Sequence, residues 1–303
     1  KILGGAELKF VATGKDVNGN EEKTVYNSTL SVRPSMPYQT WIQSGVTKNS
    51  SAELKVKHET YDDYAERKAS VSNMPTSFVD GLNFYLAKYP YGCSEQIVSK
   101  AYPFIYKDVA KVAGLSQEDV NARVDEVIGI LQSRIKSDGN IGYWTNKSET
   151  NDFITLYCAE FLTDASEQGF FVPSTFMTNV LKAVEVIASD SEEKRDAHTR
   201  AYAIYILTKN AEVTTHYIED LESDISIFDT TSEYEKLYLA ACYRMMMEEE
   251  KANKLYNMAK FDMKFNSASW EFLNELHYNS LYIDIVSTYF PEKVKHITKE
   301  QSE

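Results

Sequence analysis

The chain has 303 residues, of which 43% are hydrophobic and 25% charged, a composition that argues against wholesale disorder. Its net charge of −13 is uneven: residues 1–75 hold 10 Lys/Arg against 9 Asp/Glu, and residues 76–303 hold 22 against 36. Such an acidic chain lacks the basic face that phosphate binding needs, which argues against nucleic acid as a partner. No run approaches the ~18 apolar residues of a membrane helix. Because the sequence opens abruptly on a strand-like pattern, we interpret it as part of something longer.

Short alternating stretches before residue 75 predict half-buried β-strands. They cover residues 7–12, 29–32 and 52–57, with a turn signal at Asn18-Gly19-Asn20. The proline-rich run at residues 33–37 interrupts the pattern. About 75 residues are too few for two complete sandwiches. We therefore expect the end of one β domain and the start of another.

After residue 75 the sequence pattern becomes helical. Residues 77–80 resemble a capping box, and Pro90 predicts that the helix ends near Tyr89. Beyond Tyr143 there is one glycine, Gly169, and residues 174–290 contain no proline. This composition favours long helices with short connections.

A loose repeat runs through the helical region. Similar apolar segments contain Tyr157, Tyr202, Tyr238 and Tyr282, spaced 45, 36 and 44 residues apart. More polar helices are expected after the first three, at residues 173–188, 216–227 and 250–258. This period predicts stacked helical hairpins with apolar inner and polar outer helices. An open solenoid and a closed α/α toroid both fit, and an irregular bundle is the alternative.

The three cysteines are Cys93, Cys158 and Cys242. No Cys-x-x-Cys spacing is present, so no metal site or cofactor is expected. Cys158 and Cys242 lie in apolar helical stretches, where cysteine behaves as a small buried hydrophobe. An odd count gives no disulfide framework.

The run Tyr-Pro-Tyr-Gly-Cys-Ser-Glu-Gln at residues 89–96 stands apart. Cys93 and Gln96 are spaced i, i+3, so their side chains can meet on a helical turn, where the sulfur could displace ammonia and form a thioester. Gly92 allows a tight turn into the helix. The helix N-terminus would stabilise a thiolate, which makes a thioester reactive. Tyr89 and Tyr91 could provide an aromatic cover that keeps water away.

Two simpler interpretations accompany these residues. A cysteine before a helix is often an inert buried thiol. Glu95 could orient the ring or bind a neighbouring N–H, or it could be an ordinary first-turn acid.

The run at residues 89–96 resembles the thioester signature of the α2-macroglobulin and complement family. Animal members read Gly-Cys-Gly-Glu-Gln, and bacterial members commonly have Leu where this chain has Ser94, a side chain outside the ring. Further stretches support the likeness to bacterial members, and the resemblance is strongest from about residue 75 onward. These supporting stretches are residues 142–144, 151–153, 155–157, 160–162, 167–173 and 200–203.

The fold class implied is mainly α. The resemblance implies an α/α toroid of about six helical hairpins, inserted into a CUB-like β domain and preceded by a partial β-sandwich region. The expected boundaries are residues 1–34 for the end of a macroglobulin-like domain, 35–74 for the first CUB-like strands and 75–303 for the thioester domain. Fewer helices are predicted than a full ring needs, so the toroid is expected to be incomplete.

The function implied is an endopeptidase inhibitor that traps proteases. A protease cuts a bait region elsewhere, and the exposed thioester then acylates one of its surface lysines. Gln96 supplies the acyl carbon and Cys93 is the leaving group. This is a single-turnover reaction, so the chain is not expected to be an enzyme. Family members are exported, either periplasmic or held by a lipid anchor, which would lie outside this chain.

Some complement relatives add a histidine that switches preference toward hydroxyl groups. None of the histidines here matches that motif, which favours amine nucleophiles. Those at positions 198 and 216 have plausible separations from Cys93, but a surface or capping role is the simpler interpretation. The full set is His58, His198, His216, His277 and His296.

Two other functions remain open at this point. A toroid can host a glycan hydrolase or lyase with paired carboxylates, for which Asp152 and Glu160 are candidates. Alternatively, the helical domain binds other proteins through its concave face without any covalent chemistry.

Overall fold

The computed structural model divides the chain into two compact units, Lys1–Gly45 and Val46–Glu303. The residues it describes are 4–33, 39, 41, 43, 51, 53, 55, 65–67, 69, 71, 81–83, 85–86, 89–189, 195–224, 233–260 and 274–296. The predicted strand at 52–57 and the capping box at 77–80 therefore lie wholly or mostly outside the described residues. The domain boundaries at 34/35 and 74/75 remain predictions.

The first unit contains a β-hairpin. Strand β1, Gly4–Lys15, pairs antiparallel with β2, Glu21–Val32. The Asp16 carboxylate accepts hydrogen bonds from the N–H groups of Asn18 and Asn20, each at 2.8 Å, an arrangement that closes tight turns. The predicted strands at 7–12 and 29–32 and the turn between the paired strands are confirmed. The expectation that the strands are half-buried is wrong, because almost every residue of β1 and β2 is exposed in the described structure.

The second unit is helical. Residues 81–83 and 85–86 have helical backbone, and the chain is no longer helical from Tyr89 to Cys93, as Pro90 predicts. The labelled helices are α1 Ser94–Ala101, α2 Lys107–Val112, α3 Gln117–Arg134, α4 Asp152–Glu167, α5 Ser174–Ser189, α6 Ala197–Lys209, α7 Thr215–Asp224, α8 Glu233–Met245, α9 Glu249–Met258 and α10 Glu275–Tyr289. Short 3₁₀ turns follow at Tyr102–Ile105 and Pro291–His296.

The helices form an inner and an outer row. In the inner row, α1, α4, α6, α8 and α10 contact one another in that order, and α3, α5, α7 and α9 pack against them. Every residue of α6 from Arg200 to Thr208 is buried, as is every residue of α8 from Glu233 to Tyr243. In α5 only one face is buried. This confirms the predicted alternation of apolar inner and polar outer helices. A closed ring remains an expectation.

The inner helices run parallel, because the same ends touch. The His198 ring at the start of α6 lies 4.9 Å from the Tyr234 ring at the start of α8, and Tyr234 lies 5.8 Å from His277 at the start of α10. Just before α6, Arg195 forms an ion pair with Asp152, the first residue of α4. The N-termini of the inner helices therefore share one end of the domain.

The repeated tyrosines lie at corresponding levels of the inner row. Tyr202 stacks on Tyr238 with 5.2 Å between ring centroids, and Tyr157 lies one helix earlier on α4. Phe161 and Ile204 are fully buried at the same interfaces. Burial of such side chains stabilises a fold by about 1.5–3 kcal/mol each. The hydrophobic core comprises the inner row and the faces of the outer helices that pack against it, such as Val124 of α3 and Val180 of α5.

In the part of the chain that the structure describes, no helix is both long enough and apolar enough to cross a membrane.

A turn between α3 and α4 supplies a test of this packing. Gly139 has φ +88°, and a Cβ there would collide with the backbone carbonyl of Asn179 on α5. We expect Gly139→Ala to lower the free energy of unfolding by at least about 1–2 kcal/mol, because left-handed backbone is strained for alanine. Urea denaturation followed by circular dichroism measures this change.

Gly129→Ala is the matched control. Gly129 lies on an exposed position of α3 with open space around it. The same substitution there should raise stability by about 0.5–1 kcal/mol. Equal effects at both positions would contradict the described contact between the turn and α5.

Candidate functional site

Cys93 is the N-cap residue of α1. Its backbone is extended, with φ −65° and ψ 165°, and the helix begins at Ser94. Pro90 keeps the preceding backbone out of the helical region, so the chain enters α1 abruptly at this point. The Cys93 side chain is only 7% exposed. The predicted position of the cysteine, at a helix N-terminus, is confirmed.

Cys93 and Gln96 form a reciprocal capping box. The Cys93 side chain accepts the backbone N–H of Gln96, and the Cys93 N–H donates to Gln96 Oε1 at 3.2 Å. Each of these N–H groups would otherwise lack a partner in the first helical turn. The sequence predicts that the two side chains meet. The structure shows each side chain bonded to the backbone of the other residue, and a contact between the sulfur and the carboxamide carbon stays a prediction.

The pKa of the Cys93 thiol is raised, mainly by burial and also by the nearby negative charge of Glu95. The backbone N–H groups of Gln96 and Glu95 act in the opposite direction. The expected stabilisation of a thiolate by the helix N-terminus is therefore present but outweighed. The expectation of a net stabilised thiolate was wrong, because desolvation disfavours the charged form more than the helix start favours it.

Glu95 contacts the sulfur directly. The Cys93 thiol donates to Glu95 Oε2 at 3.8 Å, and Ser99 Oγ donates to Glu95 Oε1 at 3.4 Å. Ser99 also hydrogen-bonds the Tyr157 hydroxyl at 3.1 Å. A chain of polar groups thus links the sulfur to α4.

Tyr89 and Tyr91 lie beside the site with their rings edge to face, 5.6 Å apart. The Lys100 ammonium of α1 donates to both of their backbone carbonyls, at 2.8 and 2.9 Å. The Tyr91 side chain is 59% exposed. Lys100 therefore fixes the segment before Cys93, whereas the predicted role of Tyr89 and Tyr91 as a cover remains a proposal.

Arg134, at the end of α3, is a residue that the sequence did not single out. Its guanidinium donates to the Gly92 carbonyl at 2.9 Å, to Ser94 Oγ at 3.1 Å and to the Tyr143 carbonyl at 3.0 Å. The run at 142–144, which resembles the bacterial proteins, is the available signal in the sequence. Nothing in the local sequence connects it to an arginine on another helix.

Cys158 and Cys242 are fully buried, as predicted. Burial raises the pKa of Cys158 above the usual range and that of Cys242 to about 12. Both thiols are therefore expected to be unreactive in the folded protein.

The described histidine side chains pack against tyrosines. His198 lies among Tyr202, Tyr234 and Tyr238, and His277 shares a hydrogen bond with the Tyr234 hydroxyl. His216 packs on Tyr217. His58 and the side chain of His296 lie outside what is described.

The carboxylates proposed for a glycan-cleaving site are not brought together. Asp152 and Glu160 are eight residues apart on α4, which separates them by about 12 Å along the axis. Asp152 pairs with Arg195 at 2.7 Å, and Glu160 accepts a 2.5 Å hydrogen bond from Tyr202. Burial and the neighbouring Asp164 raise the pKa of Glu160 to about 7. Paired glycosidase carboxylates lie about 5–9.5 Å apart, so the geometry argues against that chemistry.

Comparison with known proteins gives a consistent result at the level of sequence. No family model matches the chain. It is 28% identical to alpha-2-macroglobulin of Rickettsia conorii over 97% of its own length, and 29% identical to the alpha-2-macroglobulin homolog of Yersinia pestis over 99%. The chain spans 16% and 15% of the length of these curated relatives.

The comparison with solved structures agrees with the comparison of sequences. Salmonella alpha-2-macroglobulin reacted with methylamine superposes with a TM-score of 0.67 at 18% identity, covering 100% of this chain and 20% of that one. Escherichia coli alpha-2-macroglobulin activated by porcine elastase gives 0.61 at 20% identity, covering 71% and 21%. The mainly α fold class is confirmed. Over almost its whole length the chain is thus similar in sequence to bacterial alpha-2-macroglobulins, and its fold is similar to that of solved alpha-2-macroglobulin structures.

Proposed function

We propose that this chain carries the reactive thioester of a protease-trapping inhibitor, formed between Cys93 and Gln96. The observation that carries the proposal is the reciprocal capping of α1, in which each of these two side chains accepts the backbone N–H of the other residue. This capping keeps a sulfur and a carboxamide, the reactants that thioester formation needs, on the same helical turn.

The proposed formation step balances without a further reactant. The Cys93 sulfur attacks the carboxamide carbon of Gln96, the C–N bond breaks, and ammonia leaves with the thiol proton. In the later step an amine attacks the same carbon and the C–S bond breaks. The product is a substituted amide on Gln96 and a free thiol on Cys93. The reaction occurs once per molecule, so the chain is an inhibitor and not an enzyme.

The backbone N–H of Cys93 is proposed to stabilise the transition state. It donates at 3.2 Å to Gln96 Oε1, the oxygen that becomes negatively charged when the carbonyl carbon is attacked. A donor that stays on this oxygen as its charge develops would lower the barrier. The capping interaction and the oxyanion contact are then the same hydrogen bond.

Glu95 is proposed to transfer a proton from the attacking amine to the leaving sulfur. Its carboxylate lies 3.8 Å from the sulfur, close to where an attacking amine must release a proton and the leaving sulfur must gain one. A carboxylate within reach of both atoms can transfer the proton between them. This gives Glu95 a role beyond that of a first-turn acid.

The trapping of proteases is proposed for the whole protein, since the chain spans only 15–16% of its relatives. Support comes from the Escherichia coli relative, which was determined after activation by elastase, and from the Salmonella relative, which reacted with methylamine. The partners are then target proteases, attached through surface lysines. We further propose an exported protein, periplasmic or lipid-anchored, with any anchor outside this chain.

Methylamine tests the thioester. The full-length protein should gain the mass of one methylamine and expose one alkylatable thiol at Cys93, as measured by intact and peptide mass spectrometry. Cys93→Ala should abolish both changes. Cys158→Ala is the matched control, because that thiol is fully buried, and it should leave both changes intact.

The contrary result is equally clear. A native full-length protein whose Cys93 is fully alkylated before any amine is added, with no mass gain afterwards, would overturn the thioester proposal. Retained binding of protein partners by Cys93→Ala would then favour a non-reactive binding domain.

Glu95→Gln tests the charge at the site. Because burial and then the Glu95 charge raise the pKa of Cys93, removing the charge should lower that pKa. The pH profile of Cys93 alkylation, measured after methylamine treatment, should shift to lower pH. Glu126→Gln, an equal charge change at an exposed position of α3, should leave the profile in place. A profile that both variants shift equally would show a general charge effect.

A further inference from the structure

The guanidinium of Arg134 bonds to the residues on both sides of Cys93. One nitrogen donates to the Gly92 carbonyl at 2.9 Å, and the other donates to Ser94 Oγ at 3.1 Å. The second nitrogen also reaches the Tyr143 carbonyl at 3.0 Å. A planar group with fixed donors restrains several acceptors at once, which a flexible ammonium does less well.

Ser94 completes the contact from the other side. It is fully buried, its hydroxyl donates to the Gly142 carbonyl at 2.7 Å, and its backbone N–H donates to the Tyr143 carbonyl at 2.9 Å. The hydroxyl thus accepts from Arg134 and donates to residue 142. A leucine, as in many bacterial signatures, can do neither. Although Ser94 is outside the thioester ring, its side chain has a defined position in the turn.

Gly142 allows this close approach. A Cβ at that position would collide with the carbonyl of Thr145 and lie 2.7 Å from Ser148 Oγ. The loop therefore folds tightly enough to present the carbonyls of residues 142 and 143 to Ser94 and Arg134. Three separate parts of the sequence meet around the backbone of Cys93.

The guanidinium of Arg134 also brings a positive charge to the site. Because the guanidinium bonds to Gly92 and Ser94, on either side of Cys93, its positive charge lies near the Cys93 sulfur. Burial lowers the pKa of Arg134, and a negative charge on Cys93 would act in the opposite direction. The cation opposes the effect of Glu95, the acid that contacts the sulfur.

We propose that Arg134, together with Ser94, is a positioning residue for the thioester turn: it holds Gly92 and Ser94 so that the Cys93 sulfur faces Gln96, and its charge stabilises the sulfur as the C–S bond breaks. This inference rests on the proposed thioester function. It assigns roles to Arg134, on a different helix, and to Ser94, outside the ring.

The test uses Arg134→Ala, Arg134→Lys and Ser94→Ala in the full-length protein. Arg134→Ala should slow methylamine incorporation at least about tenfold, the factor that about 1.4 kcal/mol of transition-state stabilisation provides. Its Cys93 alkylation profile should move to higher pH, because a stabilising cation is lost. Arg134→Lys should restore the pH profile but only part of the rate. Ser94→Ala should slow incorporation less than Arg134→Ala does.

Arg123→Ala is the matched control. Arg123 lies on the same helix and is also half-buried, but it donates to the Asn83 side chain and the Lys100 carbonyl, away from Cys93. Arg123→Ala should change neither the rate of methylamine incorporation nor the pH profile of Cys93 alkylation. A melting temperature measured for each variant separates loss of stability from loss of positioning.

Each remaining outcome decides the inference. Unchanged rate and pH profile in Arg134→Ala, even with a lower melting temperature, would overturn it. If Arg134→Ala does not fold, Arg134→Lys and Ser94→Ala decide by the rate of methylamine incorporation: a slower rate in both supports the inference, and unchanged rates overturn it. If the wild type takes up no methylamine, the thioester proposal fails separately. The pH profile of Cys93 alkylation then decides the role of Arg134: a shift to higher pH in Arg134→Ala supports it, and an unchanged profile overturns it.

Discussion

The backbone N–H groups at the start of α1 need hydrogen-bond acceptors, and the rest of the site depends on how those acceptors are supplied. The first N–H groups of any helix lack partners within it. In α1 these needs are met by the Cys93 sulfur, the Gln96 oxygen and the Tyr143 carbonyl. Two of the three acceptors are also the proposed reactants. Satisfying the backbone therefore keeps the Cys93 sulfur and the Gln96 carboxamide on the same helical turn, where the proposed reaction would take place.

The surrounding domain makes this helix start rigid. The parallel inner helices gather their N-termini at one end, and the segment between α3 and α4 carries Gly142 and Tyr143 to the same place. Opposite charges flank the sulfur, with Glu95 in contact with it and Arg134 bonded to its neighbours. Burial raises the pKa of the Cys93 thiol, which disfavours the reactive thiolate.

The sequence predicted the parts of this arrangement that are encoded locally. The motif at 89–96 fixed Cys93 and Gln96 as a pair, and the recurring tyrosines located the inner helices, because both depend on short, regular spacings. The contacts of Arg134 and Ser94 join residues about 40 positions apart, and no local pattern reports them. The net pKa direction of Cys93 was missed for a related reason: burial depends on the packed fold, whereas a helix start is visible in the sequence.

The cap has a consequence for the product of the proposed reaction. Gln96 would keep its side-chain oxygen when the thioester becomes an amide, so the Cys93 N–H would keep its acceptor. The new bond would be attached to a helix whose Val98 and Ala101 are fully buried in the core. Unfolding the domain would not release a molecule joined to Gln96, because the amide bond links that molecule to the polypeptide chain itself.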